Sequence, residues 1–60
     1  MQNTKILARL AEIEAHLATM RTYLDMRNKS KDWHGVMDAS ADIRELEAEA
    51  KALRWVLSLS

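Results

Sequence analysis

The most constraining feature of this sequence is a run of apolar residues in its first half whose spacings alternate between four and three. The run comprises Ile6, Leu10, Ile13, Leu17, Met20 and Leu24. This spacing keeps every member on one side of an α-helix, in the manner of a heptad repeat, whereas a strand would bring apolar residues to every second position. Thr4 is a suitable N-terminal cap, so the sequence predicts a helix over about residues 4–28.

A second apolar seam follows in the other half of the chain, again with spacings of three and four. Its members are Val36, Ala39, Ile43, Leu46, Ala50, Leu53 and Leu57. It predicts a second helix over about residues 31–58, with Ser30 or Asp32 as its N-terminal cap. The connection, about residues 28–31, is short, and Asn28 is the expected left-handed end of the first helix. The sequence therefore predicts an all-α fold, a single antiparallel two-helix hairpin spanning 1–60.

A hairpin folded symmetrically about its turn brings particular side chains together along its edges. The predicted pairs are Arg9 with Glu49, His16 with Asp42, and Tyr23 with Gly35. Contact with a tyrosine ring would explain a glycine inside a helix, where glycine costs up to about 1 kcal/mol relative to alanine. The alternative is that the glycine interrupts the second helix.

Apolar residues near the two chain ends exceed what one hairpin can bury. A chain of sixty residues without cysteine has a small core and no disulfide to support it, and self-association is a common remedy. We therefore predict a homo-oligomer, most simply a dimer that forms a four-helix bundle, with a larger helical assembly as the alternative. The predicted interface residues are Ile6, Leu7, Leu53, Trp55, Val56 and Leu57.

Composition narrows the function to binding. Nine basic residues balance nine acidic ones, which argues against a general nucleic-acid binder, and no run approaches the length of a membrane span. The chain has no cysteine and no glycine-rich phosphate loop, so we predict a cytoplasmic, non-enzymatic protein without a cofactor. A metal site at His34, Asp38 and Asp42 is a minor alternative, because this set offers too few strong ligands.

The turn carries the most distinctive side chains for a ligand or a partner. Basic and aromatic groups cluster at the start of the second helix, where free N–H groups favour anions. The candidate residues are Arg27, Lys29, Lys31, Trp33 and His34. They suggest a site for a phosphate-bearing molecule, with the tryptophan stacking on a base. The ordinary alternative is a solvated turn in which Trp33 plugs the closed end of the hairpin.

Residues 31–45, KDWHGVMDASADIRE, resemble a stretch found in small bacteriophage and prophage proteins of uncharacterised function. The resemblance covers about a quarter of the chain and implies a viral accessory protein in the host cytoplasm, with no catalytic residues to carry over. The function predicted first is a binding protein that inhibits or modulates a host protein, including a component of anti-phage defence. One alternative is an oligomer that sequesters a nucleotide signal, and another is a minor virion or assembly component.

Overall fold

A computed structural model describes residues 2–59, apart from the side chain of residue 2, and shows two helices in antiparallel contact. Helix α1 spans Gln2–Lys29 and helix α2 spans Trp33–Ser58. The described part of the chain holds no strand, which confirms the prediction of an all-helical hairpin. The turn comprises residues 30–32, so α1 ends one residue later than predicted and α2 begins two residues later. Helix α1 also begins two residues earlier than predicted, so Thr4 lies inside the helix and the prediction that it caps α1 was wrong. Helix α2 continues through Gly35 without interruption.

The core of the hairpin is thin and depends on alanine. Leu10, Ile13 and Leu17 of α1 are buried, and among the large buried side chains only Ile13 is fully covered. Across from them, Ala50 of α2 is buried almost completely, and Ala39 is buried outside this cluster. Small residues facing large ones allow the two helices to approach closely and to interdigitate, as the two seams predicted.

The residues predicted to form an oligomer interface fall into two groups. Three of them pack against the hairpin's own core and are partly buried: Ile6, Leu53 and Leu57. The other three are exposed: Leu7, Trp55 and Val56. The first group therefore serves the contact between α1 and α2, and only the second is free to meet another chain.

An ion pair closes one edge of the hairpin and confirms the predicted pairing of Arg9 with Glu49. The Arg9 Nε donates to Glu49 Oε2 at 2.6 Å, and Nη2 donates to Oε1 at 2.8 Å. Arg9 also pairs with Glu12 at 3.2 Å. These bonds lower the pKa of Glu49 and raise the pKa of Arg9, because each stabilises the charged form.

His16 and Asp42 lie in the same groove as the Arg9–Glu49 pair. The two residues therefore lie along the same edge, as predicted, but within residues 2–59 no hydrogen bond or ion pair joins their side chains.

The opposite edge holds two diagonal ion pairs that the symmetric fold did not predict. Arg21 Nη2 lies 3.3 Å from Glu47 Oε2, and Arg54 Nη2 lies 3.4 Å from Glu14 Oε1. All four side chains are more than half exposed, so each pair contributes little to stability. These pairs help to fix the axial alignment of α1 against α2, because opposite charges along both edges come together in this alignment and are separated in shifted ones.

Candidate functional site

The turn ends α1 with a Schellman motif, in which two backbone N–H groups bond back to carbonyls of the last helical turn. The Lys31 N–H donates to the Asn28 carbonyl at 3.1 Å, and the Asp32 N–H donates to the Arg27 carbonyl at 2.9 Å. Lys31 supplies the left-handed residue with φ of 59°. The prediction that Asn28 is the left-handed residue was therefore wrong, since Asn28 is still helical and contributes only its carbonyl, and the left-handed residue lies three positions later.

Asp32 joins the two helices through both its backbone and its side chain. Its Oδ1 accepts a hydrogen bond from the Gly35 N–H at 3.1 Å, so Asp32 is the N-terminal cap of α2. Asp32 is one of the two residues predicted for this cap. Its Oδ2 accepts from Arg27 Nη1 at 3.2 Å. The Gly35 N–H, and then the Arg27 guanidinium, hold the pKa of Asp32 below its usual range.

Arg27 is part of the turn's structure rather than a free cation. Its guanidinium lies 5.3 Å from the centre of the Tyr23 ring, at cation–π distance. Its aliphatic stem fills the space beside Gly35, where an added Cβ would come within 2.7 Å of Arg27 Cδ. The prediction that Tyr23 occupies this space was wrong, because the arginine stem lies against the glycine and the ring packs on the guanidinium instead.

The predicted phosphate site is therefore only partly available. Lys29 Nζ pairs with Asp25 Oδ2 at 3.0 Å, Arg27 is bound to Asp32, and the Asp32 carboxylate already occupies the start of α2. Lys31, Trp33 and His34 remain exposed. Trp33 is 59% exposed, so it does not plug the closed end of the hairpin. A phosphate at this turn would have to displace the chain's own carboxylate.

A second candidate surface lies on the face of α2 that points away from α1. Residues at spacings of four, four and three recur along the whole helix and share this face. We call it the outer stripe; it comprises Trp33, Met37, Ala41, Arg44, Ala48, Ala52, Trp55 and Leu59. Its four large apolar side chains are 59–69% exposed. Arg44 is its one charged member, and in the described chain it has no hydrogen bond or ion pair.

The outer stripe was missed by reasoning from the sequence, although its signal is present there. Its spacing makes a period of eleven residues, close enough to whole helical turns that the stripe stays on one side of α2 from end to end. Three of its seven apolar members are alanines, which occur in helices for their propensity alone and so attract no notice. The members of the outer stripe that the prediction did not single out as binding residues include Met37, Ala41, Arg44, Ala48 and Ala52; of these, Ala41 is half-buried and the others are exposed.

Other kinds of site find little support in the described residues. No group of three His, Cys, Asp or Glu side chains within 2–59 is arranged to hold a metal ion. The grooves along the hairpin are shallow and lie at the ion-paired edges. Neither helix, as far as it is described, is long and apolar enough to cross a membrane.

Comparison with known proteins finds no matching family model, no matching curated protein and no matching solved structure. The geometry of the turn and of the outer stripe is therefore the basis for proposing a function.

Proposed function

We propose that this chain acts by binding another protein, as a self-assembling helical hairpin, and that it has no catalytic role. The observation that supports this most strongly is the outer stripe, a continuous apolar face on a small protein. Contiguous exposed apolar surface of this kind is typical of sites where proteins associate. Tryptophan and methionine at its ends are residue types enriched where interfaces are buried.

The flank of α2 beside the outer stripe offers a surface of different chemistry to a partner. Asp38, Asp42 and Glu45 are exposed there, and within the described chain none of them has an ion pair. An assembly held by apolar contacts would leave these carboxylates free to meet a basic surface. The resemblance of residues 31–45 to phage proteins makes a bacterial host protein, including a component of anti-phage defence, the partner class to test first.

The test is capture of host proteins on immobilised wild-type chain, followed by binding measurements with the purified candidate. A variant carrying Asp38→Asn, Asp42→Asn and Glu45→Gln is the matched control, because it removes charge without changing side-chain size. We expect one purified protein to bind the wild type and to bind this variant at least about tenfold more weakly, with a steep dependence on salt. The proposal is overturned if no purified candidate binds, or if binding is equal for both chains.

Sequestration of a nucleotide at the turn is the less well supported alternative. Two of its three cations are engaged by Asp25 and Asp32, although Trp33 and Lys31 remain exposed. Calorimetry with a panel of cyclic and linear nucleotides decides it, since binding that persists unchanged in Trp33→Ala would contradict the role assigned to the ring. The described structure adds no support for a minor virion component, which stays a prediction.

A further inference from the structure

The folded chain exposes more surface than a compact protein of its mass. It is a rod of 44 × 15 × 11 Å with an accessible surface of 4691 Å². A compact monomer of 6.9 kDa would expose roughly 4000 Å², so the surplus is roughly 700 Å². A standard protein interface covers about 800 Å² on each partner. The surplus is thus of the size that one stable contact with another chain removes from water.

We infer that the outer stripe of α2 is covered by the outer stripe of a second copy of this chain, with the two helices antiparallel. This inference depends on the self-association in the proposed function and specifies which surface makes it and in which direction. The site on each chain is incomplete without the other, because every large apolar side chain of the outer stripe needs the second copy to cover it.

The order of residues along the outer stripe favours the antiparallel direction. Reading it from either end gives two large apolar side chains first, and the middle holds three alanines and Arg44, with the centre between Arg44 and Ala48. In an antiparallel pair centred there, Trp33 lies across from Leu59 of the second copy, and Met37 lies across from Trp55. Ala41 meets Ala52 and Arg44 meets Ala48, so each central contact includes an alanine, which allows the helix axes to approach to about 8 Å.

Charge argues against the parallel direction. A parallel pair in register would place the two Arg44 side chains directly against each other in the middle of an apolar contact, which is costly for like charges removed from water. The antiparallel pair sets each Arg44 across from Ala48 and beside Glu47 of the second copy. Glu47 is 3.3 Å from Arg21 of its own chain and is still half exposed, so it can accept a second cation. Arg44, which has no ion pair in the described chain, thereby gains one.

The absence of native cysteine makes disulfide trapping a direct test of direction. Ala41 and Ala52 face each other in the inferred pair, whereas each lies about 15–18 Å along the axis from its own equivalent. Mixing Ala41→Cys chains with Ala52→Cys chains should give mainly the mixed disulfide under mild oxidation, and little product from either chain alone, since a disulfide needs Cα atoms within about 7 Å. Ala15→Cys places a cysteine at an exposed alanine of α1 and is the control. It should form little disulfide with itself or with either of the α2 cysteine variants.

Sedimentation equilibrium of the wild type should give the mass of two chains at micromolar concentration, and Trp55→Ala should raise the dissociation constant at least about tenfold without loss of helical circular dichroism at high concentration. A mass of one chain, disulfides between identical positions, or efficient trapping by Ala15→Cys each overturns the inference. If the wild type is a single chain yet still binds a purified partner with dependence on the acidic flank, the inference fails while the binding function stands.

Discussion

Helix α2 carries two apolar faces, and α1 covers only one of them. The inner face is aliphatic and is bordered on both edges by ion pairs between the helices, such as Arg9 with Glu49. The outer stripe ends in tryptophan and methionine, and its central Arg44 has no partner in the described chain. Both faces place alanines among larger residues. Apolar content alone therefore does not decide which face meets α1, and the turn must contribute to the choice.

The turn fixes the rotation of α2 about its own axis. Asp32 bonds to the Arg27 carbonyl, to the Arg27 side chain and to the Gly35 N–H, so the first turn of α2 has one orientation relative to the end of α1. Gly35 admits the arginine stem at close range on the same side. Once this end is set, the inner face follows as the one that meets the seam of α1, and the outer stripe is turned away.

The largest effect is expected from Ile13→Ala, which opens a cavity at the one large side chain that is fully buried among the described residues. Such substitutions cost about 2–5 kcal/mol, which is comparable to the whole stability of a domain this small. Thermal unfolding followed by circular dichroism should show loss of most cooperative structure at micromolar concentration. Ile13→Val should cost only about 0.5–1.5 kcal/mol. Equal melting temperatures for the wild type and the alanine variant would contradict this account of the inner face.

The second largest effect is expected from alanine-to-leucine substitutions, which should act differently on the inner face and on the outer stripe of α2. Ala50→Leu inserts a large side chain into the inner face and should cost about 1–3 kcal/mol by overpacking. Ala48→Leu leaves the hairpin itself intact, because Ala48 is exposed, but it should weaken self-association by holding the outer stripes apart. Unfolding at several chain concentrations separates the two effects, since only association makes the melting temperature depend on concentration. Identical behaviour of the two variants would break the distinction between the faces.

Acid should destabilise the turn between α1 and α2, which orients the inner face of α2 towards α1. The pKa of Asp32 is lowered in the folded chain, so the folded state binds its proton less readily than the unfolded state does. Its stabilising effect is fully present above an ordinary aspartate pKa of about 4 and is lost as the pH falls through the lower, folded value. Asp32→Ala should lower the melting temperature at pH 7 by roughly 5 °C.

Asp32→Asn is the matched control, because asparagine still caps a helix but has no charge for Arg27. It should melt above the alanine variant and should show a weaker loss of stability in acid than the wild type. An unchanged acid profile in Asp32→Asn would mean that other carboxylates, such as Glu49, account for the dependence.

The smallest effect is expected at Gly35. In the wild type, Gly35→Ala places a Cβ within 3 Å of both Arg27 and Asp32, and should lower stability slightly by disturbing their ion pair. An Arg27→Ala background removes the arginine stem but leaves Asp32 Oδ2 within 3 Å of the added Cβ, so the same change should be less unfavourable there than in the wild type, by up to about 1 kcal/mol. A double-mutant cycle by urea unfolding measures the difference. Additive effects would show that the arginine stem does not constrain this position.

Much of the hairpin was predictable, because each helix is specified by residues close together in the sequence. The two seams predicted the helices, and symmetric folding predicted the Arg9–Glu49 pair, since both depend only on periodicity. The details of the turn were not predictable in the same way. Lysine is an uncommon left-handed residue, so nothing local marked Lys31 in preference to Asn28.

For the candidate surfaces too, the sequence shows which residues are present, and the folded structure decides which of them are available. A cluster such as Arg27, Lys29 and Lys31 is visible in the sequence, but whether each cation is free depends on the positions of Asp25 and Asp32 in the folded turn. The outer stripe was missed for another reason, although its spacing is visible in the sequence. Its alanines fit a helix equally well whether they are covered or not, and only the position of α1 shows that it leaves them uncovered.

Both tryptophans of the sequence, Trp33 and Trp55, belong to the outer stripe and stand near its opposite ends. Their indole emission therefore comes from one face of the molecule and from nowhere else. Covering that face would shift the emission to shorter wavelength, and dilution would shift it back. The native chain thus contains an unlabelled optical probe of its own assembly.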